Sequence, residues 1–378
     1  MQSTQVNTEY RPALAKVIAD VVAPMAVEID RSATFPRAAM DELGRAGLLG
    51  LVSSPDAGGM GLGLRGAVEV VEQLAQHCAS TAMVVCMHYA AAAVIEAHGS
   101  RESREAVASG RAIATLAFSE AGSRSHFWAP VSTAIRGGDD VRLTGQKSWV
   151  TSAGEAQLYV WSSRPASAEG ASTLWLVPAD TPGLRVPAPF DGLGLRGNCS
   201  SPIIADGATV PASSMLAADG GGFDVMMGTV LPYFQLMSAG FSVGTMEAAT
   251  TKAAAHVGGA RLQHLDQSLA DLPTIRAYVA RMRIKTDMAR ALLLDAVAAA
   301  ETGREDAMLR VLESKAAAGE ASTEVTDLAM RVCGGAAFRR EAGVERHFRD
   351  ARAATVMAPT TDVLYDFIGR AVCGLPLF

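Results

Sequence analysis

The spacing of apolar residues changes period twice along this chain of 378 residues, and that alternation limits which folds it can adopt. From Tyr10 to about Gly110, apolar side chains recur at helical spacing, as in Leu14, Val17, Ile18 and Val21 and again in Met40, Leu43 and Leu48. Between Ile113 and about Gly222 the pattern becomes short runs rich in β-branched and aromatic residues. VSTAIRGGDDVRLTG sets Gly-Gly-Asp-Asp between two such runs, and QLYVWSS, STLWLVPA and GLRVPAP follow with turn formers between them. After Gly222, long alanine-rich amphipathic segments return over 230–257, 272–302 and 306–333, bounded by Gly-Gly, Pro273 and Gly303. The reading is an α+β chain of three units: a helical domain over 1–112, an antiparallel β domain over 113–222 and a helical bundle over 223–378. At roughly 150 residues per domain, the length accommodates them.

Composition narrows the function classes. Lys plus Arg number 33 against 39 Asp plus Glu, for a net charge of −6, which is not the basic stripe of a general nucleic-acid binder. Apolar residues at 49% and charged residues at 19% describe a folded chain rather than a disordered one. The most apolar stretch, Thr81 to Ala97, is interrupted by His88 and Tyr89 and falls short of the ~20 apolar residues a bilayer span needs, so it is expected as a buried core helix and no membrane span is expected. MQSTQVNTEY carries no basic n-region or apolar h-region of a secretory signal. Cys78, Cys86, Cys199, Cys333 and Cys373 show neither CxxC nor zinc-like spacing, which suits reduced thiols in a cytoplasm and no bound metal. Gly61, Gly63 and Gly66 match a GxGxxG pattern within SSPDAGGMGLGLRG, but no strand precedes them, and the stretch reads as a loop between helices.

Several segments carry a more specific signal. Phe118-Ser119-Glu120-Ala121-Gly122-Ser123-Arg124-Ser125 resembles a "TEPxAGSD" loop, and the run from Leu143 to Ser152, LTGQKSWVTS, resembles "LNGxKxWITN". Gly194-Leu195-Arg196-Gly197 with Val210-Pro211 resembles "GxRGS…VP", and Cys333-Gly334-Gly335 followed by Val344 to Arg352, VERHFRDAR, resembles "GGxGF…VERxxRDAR". In this order and on these elements, the chain resembles the acyl-CoA dehydrogenase superfamily over nearly its whole length. The resemblance implies FAD-dependent enzymes with an N-terminal helical domain, a middle β domain and a C-terminal four-helix bundle.

A flavin ring is flat, apolar on its faces and rimmed by hydrogen-bonding atoms, so its pocket needs a wall and hydroxyl or backbone donors. Trp149 and Thr151 lie two apart on an expected strand, hence on one face, and could supply both. The resemblance implies that Phe118, Ser119 and Thr151 meet the flavin ring, that Trp149 packs beside it, and that Ser125 lies where substrate or flavin phosphate is met. It assigns Gly334 and Gly335 to the FAD of a neighbouring subunit, where two residues without Cβ let a backbone approach a pyrophosphate. Arg261 aligns with an arginine that meets the same pyrophosphate, and the assignment implies an oligomer. Around these positions the pattern departs from the family: His264 stands for an aromatic, Arg331 for a Gln, and Pro273 interrupts the next helix.

Dehydrogenation of an acyl thioester needs an unprotonated carboxylate to take the α-proton. In the commonest family pattern it is the Glu of "YEGT", where this chain has Ala358 and Pro359, with Thr360 in place of the Thr and joined to the cofactor-binding set. Some relatives instead place it in an "LxxER" pattern on the first bundle helix, where this chain has Phe234 and Gln235. Both positions are empty of a base, and the catalytic residue is unassigned. Substitutes are Asp362, one turn after Ala358 if that segment is helical, Glu120 in the flavin loop, His126 beside Ser125, and His88 on the apolar helix. Each has an ordinary structural role open to it as a helix-start acid, a loop group or a core histidine.

Three functions follow. The first is an FAD-dependent oxidoreductase of an acyl-CoA or related acyl thioester with a relocated base. The second is a flavin-dependent monooxygenase or other non-dehydrogenating flavoenzyme on the same scaffold. The third is a non-catalytic subunit that completes the FAD site of a partner. The expected assembly is a homodimer or homotetramer, or a heteromer with a paralogue, served by an electron acceptor or flavin reductase.

Overall fold

The computed structural model describes residues 9–376. Before the first strand run helices α1 (Tyr10–Val17), α2 (Ala23–Ser32), α3 (Arg37–Arg45), α4 (Gly63–Ala75), α5 (Ala79–His98) and α6 (Arg101–Ala108). Helix α5 is apolar on every side because every side is covered. It is long and apolar enough to cross a membrane, yet 83% of its apolar window is buried inside the molecule, so it is a core helix. The glycine-rich stretch before α4 is a turn that follows a short 3₁₀ segment at Pro55–Ala57, not the end of a strand.

The middle of the chain forms two four-stranded sheets. Strands β1 (Ala114–Ala117), β4 (Leu158–Ser163), β5 (Thr173–Pro178) and β8 (Met215–Leu216) make one, and β2 (Thr133–Gly137), β3 (Asp140–Val150), β7 (Ser201–Pro211) and β6 (Leu184–Arg185) the other. Pairing is antiparallel except that β1 runs parallel to β4. The chain leaves the first sheet after β1, forms the β2–β3 hairpin in the second and then returns, a crossover that brings β4 back in the direction of β1.

Helices α7 (Gly222–Val225) and α8 (Leu231–Gly259) follow, then a two-stranded hairpin of β9 (Arg261–Leu262) and β10 (Gln267–Ser268). The C-terminal domain is completed by α9 (Pro273–Thr302), α10 (Ala307–Cys333), α11 (Val344–Ala351), α12 (Ala353–Val356) and α13 (Thr361–Val372). Pro273 opens α9 rather than interrupting it: at the first helical position its missing N–H is lost from no hydrogen bond. Helix α10 packs against α8, α9 and α13 to form the bundle, and α8 also packs on α4 and α5, which joins the two helical domains. Arg290 on α9 reaches Glu72 on α4 at 3.0 Å across the same junction.

Candidate functional site

The end of β3 departs from strand geometry where the sequence reading places the flavin wall. Register with β7 shifts between Lys147 and Val150, and Trp149 inside that bulge has φ +55. An L-residue in this region is strained by about 1–2 kcal/mol. The shift also breaks the alternation expected of Trp149 and Thr151, so they do not share one strand face. Trp149 is 69% exposed, while Thr151, in the turn after the strand, is buried with its hydroxyl 3.0 Å from that of Ser200. Ser200 is a polar group at this site that the sequence reading missed, because only the fold brings the 198–201 segment alongside. Ser152 N–H donates to the Asn198 carbonyl and Ala153 N–H to that of Cys199.

Strain concentrates here. Of the eight described non-glycine residues with positive φ, Trp149, Ser152 and Cys199 belong to these two segments, and Leu195 lies just before the second. Backbone outliers of this kind persist where their surroundings over-determine them, and they gather at functional sites.

The loop after β1 is held beside Trp149 by main-chain and ionic contacts. Ser148 N–H donates to the Ser119 carbonyl at 2.7 Å, so Ser119 borders the strained bulge. Glu120 turns inward and accepts from Val131 N–H, Ser132 N–H and Ser132 Oγ as well as from Lys147 Nζ. Lys147 also donates to the carbonyl and hydroxyl of Ser162 on β4. Burial pushes the Glu120 carboxyl up, but Lys147 and the surrounding donors outweigh it and hold it below the usual range, while burial pulls the Lys147 amine down to about 8. With its oxygens committed, Glu120 is a tie between the sheets and not a free base. Phe118 stacks on Phe127 at 6.3 Å, Phe127 meets Trp128 edge-on at 5.3 Å, and Trp128 meets Phe367 at 5.8 Å, an aromatic series from the loop to α13.

The GLRG segment wedges the β domain against helices. A Cβ on Gly194 would stand 2.5 Å from the Arg349 carbonyl, and one on Gly197 would stand 2.3 Å from the Ile29 side chain, so both approaches require glycine. Leu195 N–H donates to Asp350 Oδ1 at 2.7 Å, and Arg349 binds Asp30 on α2. Burial pushes the Asp350 carboxyl up to about 6 despite this donor.

On the bundle side, Ala358 is half-buried between Met357 and Pro359. The carbonyls of both neighbours accept from Lys315 Nζ on α10, at 3.0 and 2.7 Å. Lys315 is 2% exposed, and burial alone pulls its amine down to about 7. The sequence reading missed it, although it occupies the buried phase of an alanine-rich helix with Val311, Ala318 and Ser322, where a lysine is conspicuous.

The other candidate residues lie as follows. His88 is fully buried, its Nε2 at 3.0 Å from the Leu49 carbonyl and its Nδ1 accepting from Ala114 N–H at 3.1 Å; burial pulls it down to about 4. It is a neutral core tie, not a proton acceptor for a substrate. His126 is exposed with its ring edge-on to Trp128, and Ser125 beside it is half-buried. Asp362 sits exposed in the first turn of α13, with Thr360 just before the helix. Arg261 is exposed on the β9–β10 hairpin and paired with Asp266 at 2.8 Å. Gly334, at φ +56, and Gly335 face open space, and Phe338 close by is 89% exposed. Among the described residues no group of His, Cys, Asp and Glu is arranged to hold a metal ion, and the five cysteines are free.

Comparison with known proteins matches each third of the chain to one family. Residues 4–112, 115–208 and 220–373 match the N-terminal, middle and C-terminal domain models of acyl-CoA dehydrogenase. The chain belongs to the acyl-CoA dehydrogenase family. It is thereby an FAD-dependent oxidoreductase by family. It is 29% identical over 348 residues to the human mitochondrial short-chain specific acyl-CoA dehydrogenase, covering 90% of this chain and 83% of that one. To the cyclohex-1-ene-1-carbonyl-CoA dehydrogenase of Geobacter metallireducens it is 28% identical, covering 97% and 98%. The acyl-CoA dehydrogenase fold is shared with butyryl-CoA dehydrogenase from Megasphaera elsdenii, with a TM-score of 0.91 at 22% identity and 99% of each chain covered.

Proposed function

We propose that this acyl-CoA dehydrogenase family member oxidises an acyl-CoA or related acyl thioester at a flavin seated against Trp149, without a carboxylate at position 358 or 234. The observation that carries the reading is Trp149 itself. A large indole, 69% exposed in a strained backbone conformation, has no reason to be held there by its own chain, and an aromatic ring stacked on it would supply one. Ser119 and the Thr151–Ser200 hydroxyl pair border the same bulge and fit the polar rim of an isoalloxazine. When bound, the flavin supplies the hydride acceptor.

The chain's own residues then hold and orient. Phe118 backs the loop, Ser125 lies on it where a thioester would pass, and Thr360 precedes α13 on the bundle side. Arg261, Gly334 and Gly335 make few contacts of their own and suit the ADP half of a neighbouring subunit's FAD, so the working unit is a homodimer, a homotetramer or a heteromer with a paralogue. Electrons leave to an acceptor protein. The free thiols suit a reducing cytoplasm.

The Ala358 methyl and the Phe234 ring can accept no proton, and this favours a second reading, a flavin-dependent monooxygenase or other non-dehydrogenating flavoenzyme on the same site. One experiment separates the readings. Purified protein is loaded with FAD and given butyryl-CoA under anaerobic conditions with an artificial electron acceptor. Binding of FAD and bleaching by the thioester support the first reading. Bleaching only by NAD(P)H or a reductase, with O₂ then re-oxidising the flavin and oxygen inserted into product, supports the second. A colourless protein that gains activity only with a paralogous chain is a non-catalytic subunit.

A further inference from the structure

Helix α11 starts from Gly343 at φ +63, and no side chain caps its first turn. The N–H groups of that turn have no intrahelical partners, and the partial positive charge of a helix N-terminus gathers on them. Cationic side chains, not anionic ones, stand around it. Lys252 reaches over from α8: a Cβ on Gly343 would lie 3.5 Å from its Nζ, so the absent side chain leaves the amine against the helix start. Arg346, in the first turn, donates from Nη2 to the His77 carbonyl at 3.0 Å, in the turn between α4 and α5. Arg346 is 9% exposed, and its Nη1 has no hydrogen-bond partner among the described residues. His347 is 1% exposed, and neither of its ring nitrogens has one.

These groups act on one another. Burial pulls the His77 imidazole down, and the charges of Lys252 and Arg346 pull it further; burial and Arg346 do the same to the Lys252 amine. Burial holds His347 well below its ordinary value, with Arg346, Lys252 and His77 adding to the effect. The carboxylates of α11 are engaged elsewhere. Glu345 binds Arg349 at 2.6 Å, and Asp350, though Arg346 favours its charged form, accepts from Leu195 N–H. Like charges held together with donors left bare are costly, and leucine or methionine at these positions would avoid that cost. In a chain of net charge −6 the cluster does not follow from general basicity.

We propose that the junction of α8, α11 and the α4–α5 turn is a binding site for an oxyanion of the phosphate class, held by Lys252 Nζ, Arg346 Nη1 and the first-turn N–H groups of α11. The match is one of charge and donors. The lysine, the guanidinium and the helix start all donate and none accepts. An ion with several acceptor oxygens takes charge-assisted hydrogen bonds from each of them, as phosphates do at helix N-termini. A cation or a hydrocarbon would satisfy none. The assignment does not depend on the reaction proposed above. Its consequence runs along α11: Asp350 on that helix holds Leu195 N–H, and Ser80 at the start of α5 accepts from Gly197 N–H. The ion therefore ties together the two elements that grip the GLRG wedge.

The test uses FAD-loaded protein, so that the flavin's own phosphate contacts are already filled. It is titrated calorimetrically with inorganic phosphate, and in parallel with glycerol 3-phosphate, in Tris chloride at constant ionic strength. Phosphate should bind one ion per chain, and Lys252→Gln, at a half-buried position, should weaken binding by about tenfold or more. Hydrogen exchange at Val344, Glu345 and Arg346 should slow when phosphate is added to the wild type and stay unchanged in the variant. Without phosphate, Lys252→Gln should melt at or above the wild-type temperature, because repulsion by Arg346 is relieved. No binding by the wild type at millimolar phosphate overturns the assignment, as does equal affinity in the variant or unaltered exchange at the start of α11. A lower melting temperature for the ion-free variant overturns it too, since Lys252 then has its partner within the protein. Binding of phosphate alone identifies a free ion, and equal binding of glycerol 3-phosphate identifies the phosphoryl group of a larger molecule; both are the assigned chemistry.

Discussion

Glu120 and Lys147 form an ion pair with both side chains out of solvent, and through it the loop after β1 is bound to β3 and, by way of Ser162, to β4. A buried pair contributes little over an apolar replacement of both partners, but removal of one partner leaves a bare charge. Lys147→Met should therefore destabilise the protein by about 3–5 kcal/mol. Urea denaturation would read this, and adding Glu120→Gln to the variant should recover part of the loss. Full stability in the single variant would show that the pair does not anchor the loop.

The strain at Trp149 makes a separable prediction. Glycine adopts φ +55 without the Cβ penalty, and an indole this exposed contributes little burial, so Trp149→Gly should leave the flavin-free protein as stable or up to about 1 kcal/mol more stable. Its FAD affinity should fall by roughly tenfold or more, since the stacking surface is gone. Thermal melts of the flavin-free protein and fluorimetric FAD titration would check the two effects. A large loss of stability together with unchanged FAD affinity would make Trp149 a structural residue.

How much of this was legible beforehand follows from the range of the interactions. The bundle helices expected over 230–257, 272–302 and 306–333 stand at Leu231–Gly259, Pro273–Thr302 and Ala307–Cys333, because apolar phase and stop signals are local. The candidate residues were picked out by motif, yet their arrangement was not. A strand period assumes unbroken pleating, so it could not reveal that the bulge turns Trp149 out and Thr151 in. Nor could it join Thr151 to Ser200, 49 residues away, or Lys315 to the carbonyls flanking Ala358. His88 and Glu120 looked like proton acceptors only while their partners were unknown, for Leu49, Ala114, Ser132 and Lys147 lie on other elements.

His88 predicts an acid limit to stability. Its folded value, about 4, lies below the ordinary 6.5, so as pH falls the unfolded chain takes up a proton first. The contribution is complete above pH 6.5 and is lost as pH drops toward 4, where it amounts to about 3 kcal/mol. Asp350, raised to about 6, acts with the opposite sign below that pH, so the comparison must be with a variant at matched pH. His88→Gln cannot titrate here, and the difference in unfolding free energy between it and the wild type should shrink as pH falls from 6.5 to 4. A difference that stays constant would mean that the imidazole is not buried neutral.

Ala358 is where a carboxylate can be introduced. Its two neighbours are held through their carbonyls by Lys315, so a side chain at 358 projects from a segment clamped on both sides. Lys315 is buried, its amine held only by the Met357 and Pro359 carbonyls with no charged group shifting it, and a glutamate beside it would gain charge stabilisation in its ionised form. Ala358→Glu should thus raise acyl-CoA oxidation by roughly 10²–10⁴, the range a positioned general base supplies. The rate should climb with pH as the new carboxyl ionises. Adding Lys315→Met should move that climb to higher pH, because the neighbouring cation no longer favours the carboxylate. Anaerobic bleaching of the FAD-loaded variants by butyryl-CoA across a pH series would measure both effects. Absence of any gain, in a variant that still binds FAD, would place the thioester's α-carbon away from position 358 and count against the proposed substrate pose.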